Sequence, residues 1–123
     1  MVAAEYVPDT GDLIKVDFSG PRSGAEQGGH EQADWRPAVV LSPKGYNRRS
    51  GLAIVVPVTS AIKGYPFEVD LPPGLKITGT ILSDAVRSID WQQRHVRYFD
   101  KAPGEVLRSV RAKLAVLLGL PKP

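Results

Sequence analysis

A chain of 123 residues with 42% apolar content and 24% charged residues is the size of one compact domain and too apolar to be intrinsically disordered. It contains no cysteine, which excludes disulfides and thiolate metal sites and fits a reducing cytoplasm. Its net charge of +3 permits a polyanionic partner without requiring one. The opening "MVAAEYVPDTGD" lacks the basic and apolar regions of a signal peptide. No apolar run approaches the roughly 18 residues of a membrane span, so no membrane association is expected.

The first predicted element is "DLIKVDF" at 12–18, which alternates apolar and polar residues after a glycine and reads as a half-buried strand. The glycine-rich stretch that follows predicts a long mobile loop over about 19–35. "PAVVLS", 37–42, reads as a buried strand, with Pro37 at its first position because proline has no N–H to give to a ladder. "LAIVVPVTS", 52–60, reads as another strand, in which Pro57 implies an edge or a bulge. "YPFEVDL" at 65–71 alternates, and "PPGL" turns the chain. "ITGTILS" at 77–83 and "AVRSID" at 85–90 read as short strands, or as one strand bent near Ser83 and Asp84. "RHVRYF", 94–99, alternates basic and apolar residues. The period then changes. Val106, Leu107, Val110, Leu114, Leu117 and Leu118 recur at helical spacing, Pro103 and Glu105 suit a first turn, and Gly119 with Pro121 supplies a stop. Many short strands closed by one helix predict a small, strongly bent β-barrel with a C-terminal helix packed on it, spanning 1–123 as a single domain.

Four blocks carry a resemblance. "YVPDTGDLIKVDF", "GHEQADWRPAVVLSPKGYN", "VVPVTSAIKGYPFEVDL" and "LSDAVRSIDW" are similar, in the same order, to blocks of the MazF/PemK family of toxin endoribonucleases. "HEQ", three residues, then "RP" before a buried strand is the most specific of these marks. The resemblance implies an SH3-like barrel, a homodimer, a protein antitoxin of the MazE kind and metal-independent cleavage of single-stranded mRNA. No DNA partner is implied for the toxin alone, and no cofactor. The chain also carries two Glu-Gln pairs, at 26–27 and 31–32. In the family the glutamate stands five residues before the arginine of "RP", which selects Glu31 against Arg36 and leaves Glu26 in an upstream lengthening of the loop. Asp34 stands where the family often has a small residue, and Trp35 is bulkier than usual.

RNA cleaves itself once its 2′-OH is activated. A base takes the proton, the oxygen attacks phosphorus, an acid protonates the leaving 5′-oxygen, and the charge on phosphorus must be stabilised. Arg36 suits the last task, being a permanent cation with a forked set of donors. The resemblance makes it central to catalysis. Thr59, at the end of "VPVT", matches the family's catalytic threonine; without that context it is a strand-closing threonine with a local backbone bond. Glu31 either accepts the 2′-OH proton or orients Arg36, and otherwise is a solvated loop charge. His30 is a secondary candidate, since a histidine contributes at this place in some members. His95, between Arg94 and Arg97, reads as structural or RNA-facing. For RNA binding the candidates are Lys44, Tyr46, Asn47, Arg48, Arg49, Ser60, Lys63, Tyr65 and Phe67, basic side chains for phosphates and aromatic faces for unpaired bases. The bland alternatives are solvated loop charges and, for Phe67, a place in the core. Asp84 and Arg87 either pair with one another or contact RNA. Members that use a carboxylate at Asp84 also carry an arginine two residues earlier, where this chain has Leu82, so the chain resembles the MazF branch more closely.

Two other functions compete. CcdB-type toxins share the small barrel and poison DNA gyrase without cutting anything, but they carry a tryptophan in a C-terminal tail, and this sequence ends "LLGLPKP". A weakened family member, altered in its 19–36 loop, would mainly bind its antitoxin. A metallohydrolase is disfavoured, because two histidines sixty-five residues apart and no cysteine offer no ligand cluster.

Overall fold

The structure, a computed structural model, describes residues 5–17, 35–61 and 63–121. The elements within them run β1 (Asp12–Asp17), β2 (Trp35–Val40), α1 (Lys44–Ser50), β3 (Leu52–Thr59), β4 (Glu68–Asp70), β5 (Thr80–Leu82), β6 (Arg87–Asp90), β7 (Arg97–Lys101) and α2 (Gly104–Leu118). Most of the predicted 19–35 loop lies outside the described residues, and with it His30, Glu31, Glu26 and Asp34. Trp35, assigned to that loop, instead opens β2, two residues before the predicted start.

Every strand pairing is antiparallel, in the order β4-β5-β3-β2-β1-β7, with β6 also on β3. This is the predicted mainly-β fold with a closing helix, although among the described residues β4 and β7 are not paired and the barrel is an open, curled sheet. Strand alternation sorts the apolar residues onto two faces. Leu13, Val39, Val56, Val58 and Ile81 form one buried cluster with Val106 and Val110 of α2. Ile14, Val16, Ala38, Val40, Ala53 and Val55 form the other with Ile89 and Trp91. Each of the valines, leucines and isoleucines among them contributes about 1.5–3 kcal/mol on full burial, so both faces hold the sheet together.

Pro57 lies within a central strand, paired with Ala38 on one side and at a local gap in the ladder on the other. β3 pairs with β6 from Leu52 to Val55 and with β5 from Val58 to Thr59. Val56 and Pro57 bridge the interval where neither neighbour needs a backbone donor. Pro37 is the third residue of β2, not its first; it pairs with Lys15 of β1, and the ladder to β3 begins one residue later, at Ala38. α2 begins after Pro103 and stops at Gly119, whose left-handed backbone (φ 70°) lets its N–H turn back to the last carbonyls.

α1 is an element that sequence periodicity does not announce. Its sequence, KGYNRRS, has no apolar stripe. One buried side chain holds it: Asn47 is fully buried, donating to the carbonyls of Pro8 (2.7 Å) and Ser42 (3.0 Å) and accepting the Ser42 hydroxyl (2.6 Å). The Asn47 backbone carbonyl accepts the Trp91 indole N–H at 2.9 Å. Asn47 therefore pins the helix and does not face RNA, a correction to its assignment as a binding residue. His95 sits in the turn before β7, with a left-handed φ of 50°, and not in an alternating strand.

Candidate active site

The strand register builds the site. Residues directly opposite in an antiparallel pair share a face, as do residues two apart along a strand. Ala38 faces Pro57, and Val55 faces Arg87. Arg36, two before Ala38, and Thr59, two after Pro57, thus lie on the face that carries Arg87. Continuing the register two residues past Ala38–Pro57, where the β2–β3 ladder ends, places Arg36 across from Thr59. The start of β2 and the end of β3 bring together two residues that are 23 positions apart in the chain.

They line a groove of about 700 Å³, together with Pro37, Ala38, Val55, Pro57, Val58, Ser60, Thr78, Leu82, Ala85 and Arg87. Its described lining carries two guanidiniums, three hydroxyls and no carboxylate, over an apolar floor that includes both prolines. Such a surface favours an anion with apolar faces, which describes a single-stranded nucleic acid. Arg36 is exposed, so its charge reaches whatever enters.

The Thr59 hydroxyl is oriented locally. Its Oγ1 accepts the backbone N–H of Ala61 at 3.0 Å. With one acceptor site used this way, its own proton remains available to donate into the groove. Downstream, Glu68 accepts two backbone N–H groups, from Lys63 (3.1 Å) and Gly64 (2.9 Å), and Lys113 of α2 donates to the Pro66 carbonyl at 2.7 Å. These bonds anchor the segment that carries Lys63 and the exposed Tyr65 away from β3.

Of the residues that the sequence nominates, Arg36, Thr59, Ser60 and Arg87 line the groove. Lys63 and Tyr65 lie on the adjoining exposed segment. Lys44, Tyr46, Arg48 and Arg49 are exposed on α1 and take no part in the groove lining; Phe67 is half-buried and Asp84 sits exposed in the β5–β6 turn. His30 and Glu31 are outside the described residues. Sequence reasoning missed Thr78, Ala85 and the contribution of Leu82, which it treated only as a departure from a family pattern. The available signal was the Thr-Gly of "ITGT", a glycine inside a strand-like run, which marks close backbone approach. Among the described residues no three His, Asp or Glu side chains are grouped so as to hold a metal ion. No helix among them is long and apolar enough to cross a membrane.

Comparison with known proteins gives consistent matches. A family model described as the PemK-like, MazF-like toxin of type II toxin–antitoxin systems matches residues 9–118. The chain is 47% identical over 118 residues to the endoribonuclease toxin MazF of Escherichia coli K12, covering 96% of this chain and 100% of that one. It is 32% identical over 95 residues to the endoribonuclease PemK of Escherichia coli, covering 73% and 71%. Among solved structures, a chain of the MazE–MazF crystal structure (Form-II) from Deinococcus radiodurans superposes with a TM-score of 0.82 at 44% identity, covering 95% of this chain and 100% of that one.

Proposed function

The chain belongs to the family of PemK-like, MazF-like toxins of type II toxin–antitoxin systems, and from that premise we propose that it is a sequence-selective, ribosome-independent mRNA endoribonuclease. The observation that carries the proposal is the convergence of Arg36 and Thr59, from different strands, on one groove without a carboxylate in its described lining. The proposed step needs no metal, because the substrate supplies its own nucleophile. The 2′-oxygen forms a bond to the adjacent phosphorus as its proton passes to a base. The P–O5′ bond breaks, and the leaving oxygen takes a proton. The products are a 2′,3′-cyclic phosphate and a 5′-hydroxyl.

In this reading Arg36 holds the non-bridging phosphate oxygens by charge-assisted bonds that strengthen as negative charge builds. The Thr59 hydroxyl donates to the same phosphoryl group. Glu31, five residues before Arg36, takes the 2′ proton or orients the guanidinium, with His30 in a secondary role. Ser60, Lys63, Tyr65 and Arg87 contact the flanking nucleotides, and the cations of α1 serve a longer strand. The working form is a cytoplasmic homodimer, and a MazE-like antitoxin silences it by laying an acidic and apolar segment over the groove. The support for that partner is the likeness to the MazF of the Deinococcus MazE–MazF complex.

The test is to map cuts on a long RNA in the presence of EDTA. Defined cuts ending in cyclic phosphate are expected, and a substrate with 2′-deoxyribose at the cut site should bind and stay whole. Intact RNA together with inhibited gyrase would favour the CcdB-like alternative. Arg36→Ala, Thr59→Val and Glu31→Ala should each slow single-turnover cleavage by roughly 10²–10⁴-fold, the span for losing a positioned catalytic group. Glu26→Ala should leave the rate unchanged; the reverse pattern between the two glutamates would show that the loop register is wrong.

A further inference from the structure

Gly79 sits immediately before β5, against the end of β3, with φ at 136°. A Cβ at this position would lie 2.6 Å from the Thr59 carbonyl oxygen, 2.9 Å from Val58 Cγ1 and 3.2 Å from the Thr59 carbonyl carbon, all inside the 3.4 Å at which ordinary contact begins. We propose that Gly79 is a positioning residue for cleavage: its missing side chain lets the β5 backbone serve as a close-fitting backstop that sets the Thr59 hydroxyl in the groove. The proposal rests on the reading of Thr59 as a catalytic residue.

The two sides of this contact are unequally held. On the β5 side, the Gly79 carbonyl accepts the Leu71 N–H at 3.0 Å. The next residue, Thr80, is fully buried, pairs with Asp70 of β4 and donates its hydroxyl to the Asp70 carboxylate at 2.8 Å. On the other side, Thr59 pairs with Thr80 but is the last residue of β3, followed by exposed Ser60 and Ala61. A side chain at 79 cannot push the β4–β5 hairpin away without breaking its bonds to Leu71 and Asp70, so the displacement falls on the end of β3 at Thr59, where only the last pair of the β3–β5 ladder has to give. A misplacement of about 1 Å at a reacting centre costs about 10²-fold in rate. The contact therefore belongs to rate, whereas Arg36 and Arg87, on β2 and β6, are left where they are to bind substrate.

The experiment compares Gly79→Ala, Gly74→Ala, Thr59→Val and the double variant Thr59→Val/Gly79→Ala. Gly74 is also at positive φ (97°), but a Cβ there meets nothing within 4 Å, so it controls for backbone strain alone. Single-turnover rate per folded molecule is measured with circular dichroism to count folded protein, and affinity with RNA carrying 2′-deoxyribose at the cut site. Gly79→Ala should lose about 10²-fold in rate with affinity unchanged, Gly74→Ala should cut at the normal rate, and the double variant should be no slower than Thr59→Val. An unchanged rate per folded Gly79→Ala molecule, or losses that multiply in the double variant, overturns the proposal. If Gly79→Ala is poorly folded, trimethylamine N-oxide is added to every sample to favour the compact state. Failure to fold even then assigns the glycine to folding alone and also overturns the proposal. A Thr59→Val protein that cuts as fast as the unaltered chain overturns the site reading itself, and this inference with it.

Discussion

Asn47 shows how one side chain is diverted from the role its neighbourhood suggests. It lies between Tyr46 and Arg48, both exposed, in a stretch whose composition reads as an RNA-facing loop. Its amide instead satisfies two buried carbonyls, those of Pro8 and Ser42. A buried polar group left unpaired costs about 1–3 kcal/mol. Asn47→Ala strands both carbonyls, and we expect urea melts to show a loss of about 2–6 kcal/mol on that basis. Arg48→Ala, on the exposed face of the same helix, should stay within about 0.5 kcal/mol. The rate per folded Asn47→Ala molecule should be close to normal where the fold persists. A variant of unaltered stability that no longer binds RNA would restore Asn47 to the binding surface.

At the scale of elements, the legible parts are those whose period is local. α2 was readable from its apolar spacing and its Pro-Gly punctuation, and β1 from strict alternation. α1 was not, because seven residues without an apolar stripe take their helix from Asn47, Trp91 and the Gly51 cap, all of them tertiary or terminal effects. Half of the candidate groove was legible for a similarly local reason. Arg36 and Thr59 stand in motifs, whereas Thr78 reaches the groove and Gly79 the end of β3 only through a register that no single segment encodes. The segment 5–11 ahead of β1 is another such case. The Tyr6 hydroxyl donates to the Asp12 carboxylate, and Lys101 Nζ of β7 reaches the other Asp12 oxygen at 2.8 Å, tying this segment to β1 and β7. Burial first, then the bond to Asp12 and its charge, push the Tyr6 pKa well above the ordinary tyrosine value. The bond to Asp12 likewise raises that of Lys101. A group with a raised folded-state pKa gives stability that is complete below its unfolded value, about 10 for both residue types, and is lost as pH rises through the folded value. Urea midpoints should therefore hold up to about pH 10 and fall as the pH is raised above it. Tyr6→Phe should be less stable at neutral pH and lose less on going alkaline, and equal alkaline losses in the two proteins would remove Tyr6 from this linkage.

For the molecule as a whole, the question is whether a modest net charge of +3 draws RNA in generally or whether a few placed cations do so. Counterion release separates the two. For single strands the slope of log affinity against log salt is about −0.7 for each phosphate neutralised. Arg36, Arg87 and Arg48 each contribute one positive charge, so losing any of them lowers the net charge equally; only the first two line the groove. With a short uncleavable RNA that spans only the groove, Arg36→Ala and Arg87→Ala should each flatten the slope by about 0.7, and Arg48→Ala should leave it unchanged. With a longer strand, any contribution from α1 should appear as a second, separate change on Arg48→Ala. Equal flattening by all three variants on the short RNA would mean that the general field governs binding, and that the groove adds chemistry but little of the grip. Unequal flattening, confined to the two groove arginines, would mean that the sheet which brings Arg36 and Thr59 to one groove also decides where the substrate is held.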